Sequence, residues 1–193
     1  MKKLQSSLIN MVLVLGLISV VAATLLAWVN QETAEPIRQA ELAKQQNAIK
    51  LVVPDFNRLD EPVVFTDEAG QKLSCYKAYN NDQPVGVAVE SYSANGFNGF
   101  IQVMVGFDMQ GNIVNYSVLK QSETPGLGTK MVDWFKTDKE HQSILGLNPG
   151  NATLKVSKDG GQVDAITAAT ISSRAFLDAV DRAYTYYQKC INQ

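Results

Sequence analysis

Histidine is almost missing from this chain: His141 stands alone, and Cys75 and Cys190 are the only cysteines. That scarcity excludes a zinc ribbon, a di-histidine metalloprotease and an iron–sulfur cluster held by four local thiolates, so no metal site is expected. Nothing resembles a Ser-His-Asp set or a general acid–base carboxylate pair, and no catalytic residue is assigned. An excess of positive charge is missing too. The 17 Lys and Arg are outnumbered by 19 Asp and Glu, for a net charge of -2, which argues against a nucleic-acid partner. With 46% hydrophobic and 19% charged residues, the chain is neither disordered nor polytopic.

Charge is also absent locally. From Leu8 to Val29 there is none, and the run is rich in Leu, Val, Ile and Ala. As a helix at about 1.5 Å per residue it reaches about 33 Å, enough to cross the hydrocarbon core of a bilayer. A cleaved signal peptide would have a shorter apolar core and a small-x-small site before a polar start, so the run is read as a retained anchor. Lys2 and Lys3 precede it, while Glu32 and Glu35 follow. The positive-inside rule then keeps the N-terminus cytoplasmic and sends the rest outside. Residues 1–31 are thus the cytoplasmic N-terminus and anchor, spanning about 8–29. Without the two lysines the outer portion carries about -4, which suits a domain standing off anionic lipid. Cys75 and Cys190 would lie in an oxidising compartment, where a disulfide is possible. They share no short motif and are read as two separate buried thiols.

Residues 32–54 read as a stalk helix, with Ile37, Ala40, Lys44, Ala48 and Leu51 at helical spacing, Pro54 closing it, and Pro36 marking a kink or a fresh start. Residues 55–193 read as one extracytoplasmic domain. Strands are expected at Val63–Phe65, Leu73–Tyr79, Val85–Tyr92, Phe100–Phe107 and Ile113–Leu119, with turns at Asp67–Gly70 and Asp108–Asn112. Val103, Val105 and Phe107 alternate with Gln102, Met104 and Gly106, which predicts a sheet with one buried face. A short helix is expected at Met131–Lys136 and a further strand at Thr153–Val156. The last helix is expected from about Ser172 to Gln188, with Ser172 or Ser173 as N-cap and Phe176, Val180, Ala183 and Tyr187 on one stripe. Antiparallel strands followed by helices make the class α+β.

Two segments are hard to explain by packing alone. In Glu123-Thr124-Pro125-Gly126-Leu127-Gly128-Thr129-Lys130, Pro125-Gly126 fits a type II turn, and Gly128 leaves room for a ligand to approach the backbone. In Asp164-Ala165-Ile166-Thr167-Ala168-Ala169-Thr170-Ile171-Ser172, small residues and two threonines precede a helix. Free N–H groups and the helix dipole there suit a phosphate. A plain surface turn and a redundantly capped helix start are the alternatives.

The run Asp164-x-x-Thr167-Ala168-Ala169-Thr170-x-Ser172 resembles the flavinylation motif of FMN-binding domains, Asp-x-x-Ser/Thr-Gly-Ala-Thr-x-Ser/Thr, with Ala168 in place of the usual glycine. Glu123-Thr124-Pro125-Gly126-Leu127-Gly128 and the turn Gly96-Phe97-Asn98-Gly99-Phe100-Ile101 resemble two further hallmarks of that family. With the single anchor, these elements occur in the order found in the G subunits of Rnf-type electron-transport complexes. They are similar also to the homologous C subunits of sodium-translocating NADH:quinone reductases.

The resemblance implies an α+β fold: an N-terminal transmembrane helix and stalk helix, then an FMN-binding domain with an antiparallel sheet and a C-terminal helix. It implies FMN held covalently by a phosphoester to Thr170. Thr167, Ala168, Ala169, Gly99, Glu123, Thr124, Gly126, Leu127, Gly128 and Lys130 are the implied cofactor-binding residues, with Arg174 a rival to Lys130 at the phosphate. Thr124 and Leu127 are the candidate ring contacts, and Trp134, Tyr92 and Phe97 are further aromatic candidates. Asp164, Thr167 and Thr170 would be read by a flavin transferase. His141 is given no role. The implied function is electron transfer in a membrane-bound complex that couples ferredoxin and NAD chemistry to ion translocation. The chain would be an electron-carrying subunit without independent catalysis. Its partners would be the membrane and iron–sulfur or flavin subunits of the complex. The implied location is the bacterial inner membrane, single-pass, with the main domain periplasmic or extracytoplasmic. A C-type quinone-reductase subunit, a free-standing flavin carrier and a non-redox anchored module remain alternatives.

Overall fold

The computed structural model describes residues 7–192, so Lys2 and Lys3, which carry the expected orientation, lie outside the described residues. The chain divides into two compact units between Ala43 and Lys44. The first holds most of α1, Leu8–Val52, a helix of 45 residues. Its most apolar window has a mean hydropathy of 2.6, and its apolar side chains from Leu8 to Val29 are exposed. The hydroxyls of Thr24 and Thr33 bond back to the carbonyls of Val20 and Val29. In an apolar surround this satisfies them within the helix itself. The helix runs through Pro36 and makes no fresh start there, although proline supplies no N–H to the preceding turn.

The second unit is built on a six-stranded antiparallel sheet. Its strands are β1 (Arg58–Leu59), β2 (Val63–Thr66), β3 (Lys72–Asn80), β4 (Gln83–Gly96), β5 (Gly99–Phe107) and β6 (Ile113–Lys120). The order is β1-β3-β4-β5-β6, with β2 also on β3. The turns form where expected. Asp67 accepts hydrogen bonds from the N–H groups of Ala69 and Gln71, and Asp108 from those of Gln110 and Asn112. Short α2 (Met131–Trp134) follows the sheet, and α3 (Thr170–Ile191) closes the chain.

The sheet is buried on both faces, not one. Leu73, Val89, Val103, Val105 and Phe107 pack with Phe176, Val180, Ala183 and Tyr187 of α3. Across the sheet, Ala78, Ala88 and Met104 pack with Ala48, Ile49, Val52 and Val53 at the end of α1. Burial of each larger side chain contributes about 1.5–3 kcal/mol. Small residues on this second face are what admit the helix: a Cβ on Gly106 would overlap the carbonyl oxygen of Val52. A polar layer borders it, where the Gln45 and Gln102 amides donate to the Glu90 carboxylate. Burial holds that carboxyl above its ordinary pKa, partly offset by these two bonds.

Cys75 and Cys190 are joined in a disulfide across 115 residues, Cα to Cα 6.6 Å, which corrects the reading of two separate thiols. The bond ties β3 to the last turn of α3, and closing so long a loop stabilises by about 2–4 kcal/mol. Thr153–Val156 forms no strand. A single parallel bridge joins Val156 to Val163, because the chain turns back at once over Ser157–Asp159 and Gly160-Gly161. At the outer edge of the sheet, β6 is occupied at both ends. Ile113 exchanges backbone bonds with Leu147 and Gly146, and the Lys44 ammonium donates to the Leu119 carbonyl.

Candidate functional site

The helix start that resembles a flavinylation motif is held by a polar scaffold beneath it. Asp164 accepts from the Ser157 hydroxyl at 2.8 Å and from the His141 N–H at 3.3 Å. Its own N–H reaches the His141 carbonyl at 2.8 Å, and its carbonyl accepts the Trp134 indole N–H at 2.9 Å. His141, distant in sequence and given no role, therefore lies against Asp164, its Nδ1 3.9 Å from the carboxylate. The chain then turns over Ile166–Ala169, closed by a bond from the Ala169 N–H to the Ile166 carbonyl at 2.9 Å. Ala168 sits in that turn at φ +62°, a conformation that glycine adopts without steric cost. The glycine usual in the related motif thus has a local reason, and alanine here is strained.

Helix α3 begins at Thr170, two residues ahead of the expected start, with Ala169 as N-cap and no side-chain cap. Neither Ser172 nor Ser173 is the cap, because both lie inside the first turn. Ser173 instead accepts the Ile166 N–H and donates to the Ala169 carbonyl, both at 2.9 Å. Ser172 donates to the Glu123 carboxylate. The first-turn N–H groups are left without a side-chain acceptor, at the positive end of a 22-residue helix. Among the described residues, no hydrogen-bond partner engages the Thr170 hydroxyl. It borders a cleft of about 500 Å³ whose wall includes Trp134 and Thr167, the lysines Lys139 and Lys158, and the acids Glu140 and Asp164. That volume lies within the ~300–1,000 Å³ usual for small-molecule sites.

The other two segments meet this helix start through Glu123. Gly126 takes φ +75°, and the Leu127 N–H bonds to the Thr124 carbonyl at 3.1 Å, which closes the expected turn. The space Gly128 leaves is filled from within: a Cβ there would come 2.6 Å from Ser172 Oγ and 2.7 Å from Glu123 Cβ. Gly128 and Glu123 are buried, so neither offers a free surface to a ligand. The Glu123 carboxylate also accepts the Asn98 N–H at 3.1 Å, which joins the β4–β5 hairpin and Gly99 to the group. Thr124 is half-buried, and Leu127 is 38% exposed.

Some expected residues stand elsewhere. Arg174 is engaged by Asp159 in a two-pronged pair at 2.7 Å, which raises the guanidinium pKa and lowers that of the carboxyl. Lys130 is exposed and does not line the cleft; Lys139 and Lys158 do. Tyr92 is core, its hydroxyl bonded to Asp67 and its ring stacked on Phe100 at 5.0 Å. Phe97 is 64% exposed at the hairpin tip, and Ala169 is buried. The two cleft lysines had no sequence signal, because only the folding-back of the 137–169 segment brings them beside Thr170.

Comparison with known proteins identifies the family. An FMN-binding domain is matched over residues 96–185, a stretch that begins at the β4–β5 hairpin and includes all three motif segments. The chain is 33% identical over 196 residues to the G subunit of the ion-translocating oxidoreductase complex of Shewanella loihica, covering 95% of this chain and 91% of that protein. It is 34% identical over 185 residues to the Yersinia pestis G subunit, covering 90% and 87%. To that of Vibrio cholerae serotype O1 it is 33% identical over 192 residues, again covering 90% and 87%. With its FMN-binding domain and its long apolar helix, the chain belongs to the family of G subunits of ion-translocating oxidoreductase complexes.

Proposed function

We propose that this chain is the flavin-bearing electron-transfer subunit of a membrane redox complex, with FMN attached as a phosphoester to Thr170. The complex couples electron transfer between ferredoxin and NAD to ion translocation. The observation that carries the attachment is the Thr170 hydroxyl: unpartnered, at the first residue of an uncapped helix, and beside a cleft with two lysines. A phosphodiester keeps one negative charge, which the helix start favours by roughly 0.3–1 kcal/mol. Lys139 and Lys158 supply cations on the same cleft, set against the carboxylates of Glu140 and Asp164, and Trp134 offers it an aromatic wall. Thr124 and Leu127 lie outside that cleft, on the Glu123–Gly128 turn joined to the helix start through Glu123 and Ser172, and are the residues we assign to the ring.

Bound FMN supplies one- and two-electron redox chemistry. The chain's own residues fix where it stands and keep it from diffusing away. Attachment needs an activated donor, because free FMN would have to expel hydroxide. With flavin adenine dinucleotide as such a donor, Thr170 Oγ would give its proton to a base of the transferring enzyme and bond the flavin-side phosphorus, while the phosphoanhydride bond would break and AMP would leave with the electron pair. Among the described residues no side chain engages the Thr170 hydroxyl as a base, so in this reading a separate flavin transferase takes its proton, and Asp164, by ordering the segment before Thr170, helps present the threonine.

The remaining organisation follows the same reading: an anchor over about 8–29, a stalk over 32–54 and an FMN-binding domain over 55–193. The chain is an electron carrier without independent catalysis, docked on membrane and iron–sulfur or flavin subunits. The Cys75–Cys190 disulfide supports an extracytoplasmic domain, since such bonds persist in oxidising compartments. In this reading the anchor lies in the bacterial inner membrane, crossing it once.

Ultraviolet fluorescence of the denatured protein on a gel, followed by peptide mass spectrometry, tests the attachment. The wild type is expected to glow and to carry the mass of FMN less water on the Thr170 peptide. Thr170→Val keeps the side-chain shape, removes the nucleophile and is expected to be dark. A fluorescent Thr170→Val protein would overturn the assignment and move the bond to Thr167.

A further inference from the structure

Glu123 has a different place from the one expected of a cofactor ligand. It is 4% exposed and does not line the cleft beside Thr170. Its oxygens are committed inward, Oε1 to the Asn98 N–H at 3.1 Å and Oε2 to the Ser172 hydroxyl. Two glycines are packed around it. A Cβ on Gly96 would stand 2.7 Å from Oε1, and one on Gly128 would stand 2.8 Å from Oε2. No lysine, arginine or histidine pairs with it among the described residues. A carboxylate buried without a cation is costly. The two donors and the positive end of α3 are what compensate it.

We infer that Glu123 is a positioning residue, which locks the β4–β5 hairpin to the first turn of α3 and thereby sets where the Thr170 hydroxyl stands. This rests on the reading of Thr170 as the flavin-bearing residue. Ser172 lies two residues after Thr170 in the same turn, so releasing the Ser172–Glu123 bond frees the turn that carries the nucleophile. Phosphoryl transfer requires Thr170 Oγ to attack in line with the departing AMP, and an error of about 1 Å in such an approach costs on the order of 100-fold. The contribution is geometric. In Glu123→Gln the amide oxygen still accepts from Asn98, and the amide N–H still meets a Ser172 hydroxyl able to accept.

The test uses the full chain in detergent, purified flavin transferase and flavin adenine dinucleotide. Initial rates of covalent labelling are read below the unfolding transition of each variant. Glu123→Ala is expected to slow labelling at saturating transferase by at least about tenfold, with little change in KM. Glu123→Gln is expected to restore the rate to within about threefold of wild type. Ser172→Ala leaves the carboxylate in place, is expected to be slowed in the same way, and carries the test if Glu123→Ala does not fold. Wild-type rates in the folded alanine variants would overturn the positioning role and leave Thr170 standing. So would a Glu123→Gln protein as slow as Glu123→Ala, or an effect confined to KM. A wild type that accepts no covalent flavin would overturn both readings.

Discussion

At its Cys190 end, α3 is bonded covalently to β3 and its aromatic rings are packed against the sheet. Phe107 lies 4.9 Å from the Tyr187 ring and 5.8 Å from that of Tyr184, and the Tyr187 hydroxyl donates to the Asp108 carbonyl. At its Thr170 end the same helix begins uncapped, after a residue at positive φ, beside an open cleft. Between them, Phe176 is held by Tyr116 at 4.7 Å and Phe135 at 4.6 Å. The two ends divide the labour of one element. Packing and a disulfide fix the helix axis, so its first turn can leave polar groups unsatisfied and keep a hydroxyl presented.

The largest blow to that contrast is aimed at the closed end. Replacing both cysteines by alanine is expected to cost about 2–4 kcal/mol in urea unfolding. Flavin labelling of the folded protein is expected to be unchanged, because the first turn of α3 is held by Glu123 and Ser173. A labelling defect in folded protein would merge the two ends into one unit. At the open end, alanine at both Lys139 and Lys158 is expected to slow labelling several-fold at low salt, at about 0.2–1 kcal/mol per exposed cation. That deficit is expected to shrink as salt rises; a salt-independent one would exclude an electrostatic role.

Acid titration separates the two ends further. Asp67 is held below the usual carboxylate range chiefly by the Tyr92 hydroxyl, helped by the N–H groups of Gln71 and Ala69 and by Arg182 of α3, with burial opposing. A lowered folded pKa gives stability that is present above the unfolded value near pH 4 and lost as pH falls through the folded one. Asp67→Asn is therefore expected to flatten the loss of stability as the pH falls below about 4, read as the urea midpoint. Labelling at neutral pH is expected to stay at the wild-type rate. The smallest effect is expected at Ala168→Gly, which relieves the positive φ and stabilises by about 0.5–1 kcal/mol. A destabilised glycine variant would show that the turn is not strained.

Local patterns were legible in the sequence. Alternation placed β2 to β6 within a few residues, and Phe176, Val180, Ala183 and Tyr187 form the buried stripe of α3 as expected. Turn chemistry placed Gly126, Asp67 and Asp108. Features set by distant partners were not. Gln102, Met104 and Gly106 read as a solvent face, yet Met104 and Gly106 meet the end of α1, whose approach depends on a missing Cβ. Cys75 and Cys190 carry no mutual signal until β3 and α3 are docked. At the site, the motif residues were readable, whereas Lys139, Lys158 and His141 enter only through the irregular 137–169 segment. Glu123 was expected to bind the cofactor, and its residue type could not say that it faces inward, onto Asn98 and Ser172.

The occupied edge of β6 limits how the domain meets other proteins. An unpaired strand edge is a template on which a foreign chain can add a strand. Here the Gly146–Leu147 loop bonds to Ile113, the Lys44 ammonium covers the Leu119 carbonyl, and the Asn115 amide is turned onto the Leu51 carbonyl. With both ends of that ladder taken, strand addition along β6 is hindered, so a partner or a second copy that extended the sheet would have to do so at the opposite edge, along β1 and β2, which pair only with β3.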